Sequence, residues 1–200
     1  MSTLVRASEL AKMPVVTFGG EDVAQIKDIV YAAHGGQIEA FTLAGRGLFA
    51  GPLKTALPWS AVVGLGAAAV IIESEQVLVP IADVLAHATG GGPGRGDILN
   101  SQVLTDEGTA LGTVSDVIIG IDPSAGGQAD VVGYEIAPAD TVGHGKQRLL
   151  IPLPDTLAAS GEHLMVPASA SSYLTDDLAQ FGSVVDAFRS QLGAQTGGAS

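Results

Sequence analysis

Cysteine is absent from the 200 residues. That excludes disulfides, thiolate nucleophiles and cysteine-ligated metal sites. Basic side chains are scarce, 9 against 21 acidic ones, for a net charge of −12. Phosphate backbones are held by clustered Lys and Arg, and the sequence has no such cluster, so direct nucleic-acid binding is disfavoured. The imbalance is concentrated in residues 89–200, with 13 acidic and 4 basic side chains, which would be repelled by an anionic membrane surface. Aromatics make up only 4% of the chain, so Ala, Val, Leu and Ile must fill any interior. The longest near-apolar run, Ala61 to Ile72, has 12 residues with Gly64 and Gly66 inside it. It is too short to cross a bilayer as a helix. Arg6, Glu9 and Lys12 interrupt the N-terminal stretch where a secretory signal would need an apolar run. The expectation is a soluble cytoplasmic protein.

Hydrophobic residues are plentiful at 46%, and 27 glycines and 10 prolines are spread along the chain. That composition suits a folded chain of short strands and tight turns. One stretch occurs twice. Val23 to Val30 reads VAQIKDIV and Leu111 to Ile118 reads LGTVSDVI, and at an offset of 88 residues Asp28 falls on Asp116. Each places an apolar side chain on alternate positions up to the Asp and a β-branched pair beyond it, the period of a half-buried strand.

The surrounding elements repeat in the same order. In the first half, residues 1–13 are a lead-in, and Val15 to Phe18 and Val23 to Ala32 are strands joined by a Gly19–Asp22 turn. Gln37 to Leu43 returns as a third strand, and Lys54 to Leu57 is a fourth, ended by Pro58. Ser60 to Leu65 reads as one helical turn and Ala68 to Glu73 as a strand. A short helix is expected from Pro80. In the second half, Ile98–Thr105, Leu111–Ile121, Asp130–Ile136, Arg148–Ile151 and Leu164–Val166 follow the same plan. Pro152 stands where Pro58 stood.

These features give the boundaries: a first domain at residues 1–87, a glycine-rich linker at 88–96, a second domain at 97–170, an amphipathic helix at 171–192 and a tail at 193–200. In the helix, Leu174, Leu178, Phe181, Val185, Phe188 and Leu192 recur at steps of four and three and form one apolar stripe. Thr175 is the expected N-cap, with Asp176 and Asp177 in the first turn. The stripe suits either packing on its own domain or a contact with a partner helix or a second copy.

Two repeats of five or six short strands suggest two small closed barrels. The strand motif, with Gly112, Val114, Asp116, Val117 and Pro152 in the second copy, resembles that of the PRC-barrel domain family. The first copy has Ala24, Ile26, Asp28, Ile29 and Pro58, followed by Trp59. The resemblance covers residues 4–75 and 97–168. It implies a mainly β fold, two small PRC-type β-barrels in tandem plus the C-terminal amphipathic helix. The family includes the H subunit of the photosynthetic reaction centre and a ribosome-maturation factor. The sequence shows neither the membrane helix of the one nor the separate N-terminal domain of the other, so those two functions are not carried over.

Candidate chemistry is thin. Asp28 and Asp116 could be functional carboxylates, but a short acceptor beside a strand more often fixes a backbone amide. The Asp122–Asp130 loop lacks the alternating oxygen ligands and closing Glu of a calcium loop. His34, His87, His144 and His163 have no partner at ligand spacing. A gly–x–ser–x–gly elbow is missing, and Gly145-Lys146 is followed by Gln147, against the phosphate-loop pattern. No catalytic residue, cofactor or metal is expected. The loop Gly45–Pro52 stands out, because Arg46, Leu48 and Phe49 occupy a glycine-rich segment where polar residues are normal; they either plug the barrel or mark an interface. Trp59 reads as core.

The resemblance implies a non-catalytic adaptor or scaffold whose barrels hold a protein partner at the cytoplasmic face of a membrane complex. Arg46, Leu48 and Phe49, with Leu178, Phe181, Val185 and Phe188 of the helix, are the expected contacts. Two alternatives stand beside it, an assembly factor that binds a ribosomal protein and a ligand sensor or enzyme using a crevice between barrels. Homo-oligomerisation stays open.

Overall fold

A computed structural model describes residues 3–32, 36–47, 50–88, 98–122, 127–143, 147–153, 158–159 and 163–196. The chain divides into two compact units. The N-terminal unit is Ala7–Gly94, and the C-terminal unit is Met1–Arg6 together with Arg95–Ser200. The first few residues therefore belong to the second unit.

In the N-terminal unit a short helix α1 (Ala7–Leu10) precedes β2 (Pro14–Thr17), β3 (Asp22–Tyr31), β4 (Ile38–Ala44) and β5 (Pro52–Pro58). A 3-10 turn at Trp59–Ala61 leads to β6 (Val62–Leu65) and β7 (Val70–Ile72), and then β8 (Val79–Pro80) and helix α2 (Ile81–Ala88). The strand order is β6-β7-β2-β3-β4-β5-β8. Pairing is antiparallel except for β2 with β7.

The C-terminal unit has β9 (Gln102–Thr105), β10 (Ala110–Asp122), β11 (Gln128–Pro138), β12 (Leu149–Pro152), β13 (Ala158–Ala159) and β14 (His163–Val166). Helix α3 (Leu178–Thr196) follows. Its order, β12-β11-β10-β9-β14-β13, reproduces the first unit from β5 to β6, parallel pair included. One strand has no counterpart there among the described residues: β1 (Thr3–Arg6) lies antiparallel along β10, with Arg6 opposite Ile118 and Thr3 opposite Ile121.

The correspondence at 88 residues extends to single hydrogen bonds. In the first hairpin the Glu21 N–H donates to Thr17 Oγ1 (3.2 Å), and in the second the Thr109 N–H donates to Thr105 Oγ1 (3.0 Å). Gly20 and Gly108 take φ of 83° and 82° in those turns, where a side chain would be strained. Among the described residues Lys12 and Asn100 are the non-glycine residues with positive φ, at 69° and 72°, and each donates its N–H across to β3 or β10.

The repeated motif acquires a physical explanation. Pairing shifts register between Ile26 and Asp28 in one unit and between Val114 and Asp116 in the other. Lys27 and Ser115 are the extra residues of these β-bulges, which reverse the alternation of faces beyond them. The Ile29 N–H donates to Asp28 Oδ1 (2.9 Å), and the Val117 N–H to Asp116 Oδ1 (2.8 Å). Each Asp caps its bulge, as a short acceptor beside a strand is expected to do. Past the bulge both residues of the β-branched pair are buried, because the sheet is covered on both faces. Ile29 and Val117 are both buried. Val30 packs with Ala40, Ala56 and Val84 of α2, and Ile118 with Leu150, Phe181 and Val185 of α3.

The fold is mainly β with a C-terminal helix, as expected, its strands forming a curled half-barrel sheet. Two expectations are corrected. Val62–Leu65 is a strand beside β7 and not a helical turn; the turn is confined to Trp59–Ala61. The C-terminal helix starts at Leu178, not near Ser171. Thr175 cannot cap it because its backbone is drawn to the edge of β12, trading hydrogen bonds of 2.6 and 3.2 Å with Leu150. Asp177 caps instead, its Oδ1 accepting from the Ala179 N–H at 2.8 Å. The expected linker at 88–96, apart from the end of α2, and the tail from 197 lie outside the described residues.

Candidate interaction surface

The apolar stripe of α3 is spent inside its own unit. Phe181, Val185 and Phe188 are buried, and Leu178 packs against the same cluster. Gly133 makes room for this, since a Cβ there would sit against the Phe181 ring edge and 2.5 Å from the Ile151 carbonyl oxygen. Tyr173 stacks at a tilt on Phe188, with ring centroids 5.3 Å apart. These four side chains, expected as contacts for a partner, are core residues of the C-terminal unit.

In the loop after β4, Arg46 is folded back on the first hairpin. Its Nη2 lies 3.0 Å from Asp22 Oδ2, and its Nη1 donates to the Asp22 carbonyl oxygen at 2.9 Å. Exposed at Arg46 and part-buried at Asp22, that pair fastens the loop with little net energy. Leu48 and Phe49 lie outside the described residues. Trp59 is half-buried and meets Phe41 edge-on at 5.8 Å, in agreement with a core role.

Exposed large apolar side chains stand elsewhere in the N-terminal unit. Phe18 is 65% exposed, Val63 59% and Leu85 44%. Phe18 follows β2, where Val15 and Thr17 face the core, so alternation turns it and Val16 outward. That signal was readable, but a Phe beside two glycines reads equally well as the inward end of a strand. Val63 lies at a register shift on β6, the end strand of the sheet. In the C-terminal unit Asp106 takes the place of Phe18, and Met165 on β14, 37% exposed, is the exposed large apolar side chain there among the described residues.

Beside α2 lies a groove of about 340 Å3, whose lining includes Ile29, Val30, Thr42, Leu53, Ile81 and Leu85, with Lys27 and Asp28 at its margin. The corresponding place in the C-terminal unit holds charged side chains. There Glu135, paired with Asp116 as Thr42 is paired with Asp28, is 7% exposed and accepts from Arg6 Nε at 2.7 Å. Arg148 Nη1 stands 3.3 Å from its other oxygen, and Ser115 Oγ donates to its carbonyl oxygen at 3.1 Å. Next to it, Tyr134 is buried in the inner core, and burial pushes its hydroxyl from 10.0 up to about 12. A second cavity of about 400 Å3 lies between β10, β11 and α3, edged by Asp122, Asp130 and Asp186.

Asp28 and Asp116 are occupied with their bulges. His34 and His144 lie outside the described residues, as does the side chain of His87, and His163 is exposed on β14. Among the described residues no group of three or more His, Asp or Glu is placed to hold a metal ion. No described helix is long and apolar enough to cross a membrane.

The PRC-barrel domain family model matches residues 2–85. The match starts at β1 and ends within α2, so it takes in the one strand that crosses to the other unit. It does not reach the repeat in the C-terminal unit. No curated protein matches the chain. The PRC-barrel domain is a protein-interaction and scaffold type of domain, and residues 2–85 are similar to it.

Proposed function

We infer that this chain is a non-catalytic adaptor that holds a protein partner through its N-terminal unit. The observation that carries the reading is the concentration of exposed apolar side chains, Phe18, Val63 and Leu85, on the unit that the PRC-barrel model matches. Exposed apolar groups on one unit of a folded chain suit a contact surface. The C-terminal unit, with its repeated strand order, is a second PRC-type barrel that has diverged beyond the family pattern. Its acidic surface keeps the adaptor soluble and off anionic membranes, so any membrane association runs through a partner on the cytoplasmic side.

The test is co-purification of the tagged chain from mildly solubilised cells, beside a variant carrying Phe18→Asp and Val63→Asp. Both positions are exposed, so the variant keeps its fold. A defined partner recovered with the parent chain and lost with the variant is the expected result. A chain that purifies alone in both forms would overturn the reading.

A further inference from the structure

Helix α2 lies over one part of the outer face of its sheet, where Val84 packs on Val30 of β3, Ala40 of β4 and Ala56 of β5. On the other side of β3 the sheet continues through β2, β7 and β6. The outward side chains there are Val16 and Ile71, both half-buried, and Phe18, 65% exposed. Val16 pairs with Ile71, and Ile71 with Gly64 of β6. Gly64 leaves Ile71 uncovered, since a Cβ there would lie in ordinary contact with the Ile71 Cβ, at 3.7 Å. Val63, 59% exposed, stands next to it at the bulge of β6. At about 4.8 Å between neighbouring strands the strip is about 10 Å wide. One α-helix is about 10–12 Å across, so the strip has room for a single helix beside α2.

The internal repeat shows what Phe18 does not do. Its N–H donates to the Ile72 carbonyl oxygen, as the Asp106 N–H donates to that of Val166. The Asp106 side chain adds a bond of its own: its Oδ1 accepts from the Ala168 N–H at 2.8 Å and ties down the chain after β14. Phe18 has no acceptor for such a bond, and the N-terminal unit has an exposed ring where the C-terminal unit has a cap. The rim of the strip is acidic. Glu73 follows Ile72 beside Phe18, Glu21 closes the same turn, and Glu75 lies just beyond; all three are exposed. Among the described residues none of these carboxylates has an ion-pair partner. Asp22, opposite Val16, is by contrast matched by Arg46.

We propose that this face takes a basic amphipathic helix of a partner protein, its apolar stripe on Val16, Phe18, Ile71 and Val63 and its flanking Lys or Arg side chains against Glu21, Glu73 and Glu75. The apolar contact supplies affinity, and the charges select the partner and speed its arrival. A second copy of this chain fits poorly, because a two-fold contact through the same face would set one acidic rim against the other. An anionic membrane is repelled by the same carboxylates. This assignment rests on the adaptor reading and names the chemistry of the partner segment.

Three synthetic peptides of about 14 residues test it on the full chain. The first has a leucine stripe at helical spacing with lysines on both flanks. The second has glutamate at each lysine position, and the third is the first in shuffled order, without the stripe. In titrations followed by backbone amide NMR, the first peptide should shift Val16, Phe18, Val63 and Ile71. It should bind about tenfold more tightly than the glutamate version at low salt. Phe18→Asp installs the residue of the matching position in the C-terminal unit, so the fold is kept, and it should weaken the first peptide about tenfold. Glu73→Lys with Glu75→Lys, both on the surface, should reverse the preference between the first two peptides. Equal binding of the shuffled peptide, or shifts spread over the acidic C-terminal unit, would mean general charge attraction and overturn the proposal. So would an absence of shifts at millimolar peptide. Self-association of the peptide-free chain that Phe18→Asp abolishes would give the face to a second copy, against the proposal. A partner recovered by co-purification with the face silent to all three peptides would sink the helix assignment and leave the adaptor reading standing; binding at the face with no partner recovered would do the reverse.

Discussion

Arg6 and Glu135 are 129 positions apart in the sequence, and the Arg6 Nε lies 2.7 Å from Glu135 Oε2. The pair spans three strands, from β1 across β10 to β11. Glu135 is nearly buried, and its carboxylate is met by Arg6, Arg148 and Ser115. Arg6→Ala should cost the C-terminal unit about 1–3 kcal/mol, since it strips a charge-assisted partner from a buried carboxylate. Deleting residues 1–6 should cost more, because Leu4 leaves the α3 cluster as well. Denaturant unfolding can separate the units: the single tryptophan, Trp59, lies in the N-terminal unit, so its transition should stay in place. The signals of Tyr134 and Tyr173 should move to lower denaturant. A shift of the tryptophan transition alone would contradict this account.

Tyr134 supplies a pH dependence with a definite sign. Its hydroxyl is raised from 10.0 to about 12 in the folded state, by burial. Between these values the unfolded chain gives up the proton and the folded one keeps it, so stability falls as pH rises. The difference corresponds to about 3 kcal/mol, fully lost above the folded value. Below pH 10 this group contributes no slope. Tyr134→Phe should flatten the alkaline limb of a stability profile measured from pH 8 to 12.

Gly133 is a packing requirement and not a turn. A methyl group there would collide with Phe181 of α3 and the Ile151 carbonyl oxygen of β12. Gly133→Ala should cost about 1–3 kcal/mol and loosen the helix from the sheet. Faster amide exchange in α3, with the N-terminal unit unchanged, would be the signature. Unaltered protection of α3 would show that the helix is held by something other than this contact.

The two bulge caps make an internal comparison. Asp116 is 5% exposed, whereas Asp28 is on the surface. Asp116→Ala should therefore cost about 1–3 kcal/mol, and Asp28→Ala less than about 1. Asparagine retains a carbonyl acceptor, so Asp116→Asn should recover part of the loss. Equal costs at the two sites would mean that the bulge, not the burial of its cap, sets the energy.

Much of the strand plan was legible because alternation, turn glycines and the paired prolines are local signals. The 88-residue offset located Asp28 and Asp116, and the bulges explain why the alternation breaks at each of them. What stayed hidden depends on partners distant in sequence. Thr-Leu-Val-Arg has the pattern of a strand end, but nothing in four residues says which sheet it will join. The start of α3 was misplaced because Thr175 is claimed by Leu150, 25 positions away in sequence. The helix stripe named Phe181, Val185 and Phe188 correctly as one face, yet periodicity alone does not distinguish a partner from the helix's own sheet. The surface side chains Phe18 and Val63 were passed over because exposure is decided by which face of a sheet is covered.

The crossing of β1 also puts a clock into biosynthesis. Glu135 is translated 129 residues after Arg6. At ordinary elongation rates that interval is about 6–26 s. Throughout it, the strand segment is tethered to the unit being completed first, while the sheet it belongs to does not yet exist. For those seconds Leu4 and Val5 are free to meet whatever lies near the ribosome. A tag fused before Thr3 is likewise attached, in the finished protein, to the edge of the unit made last.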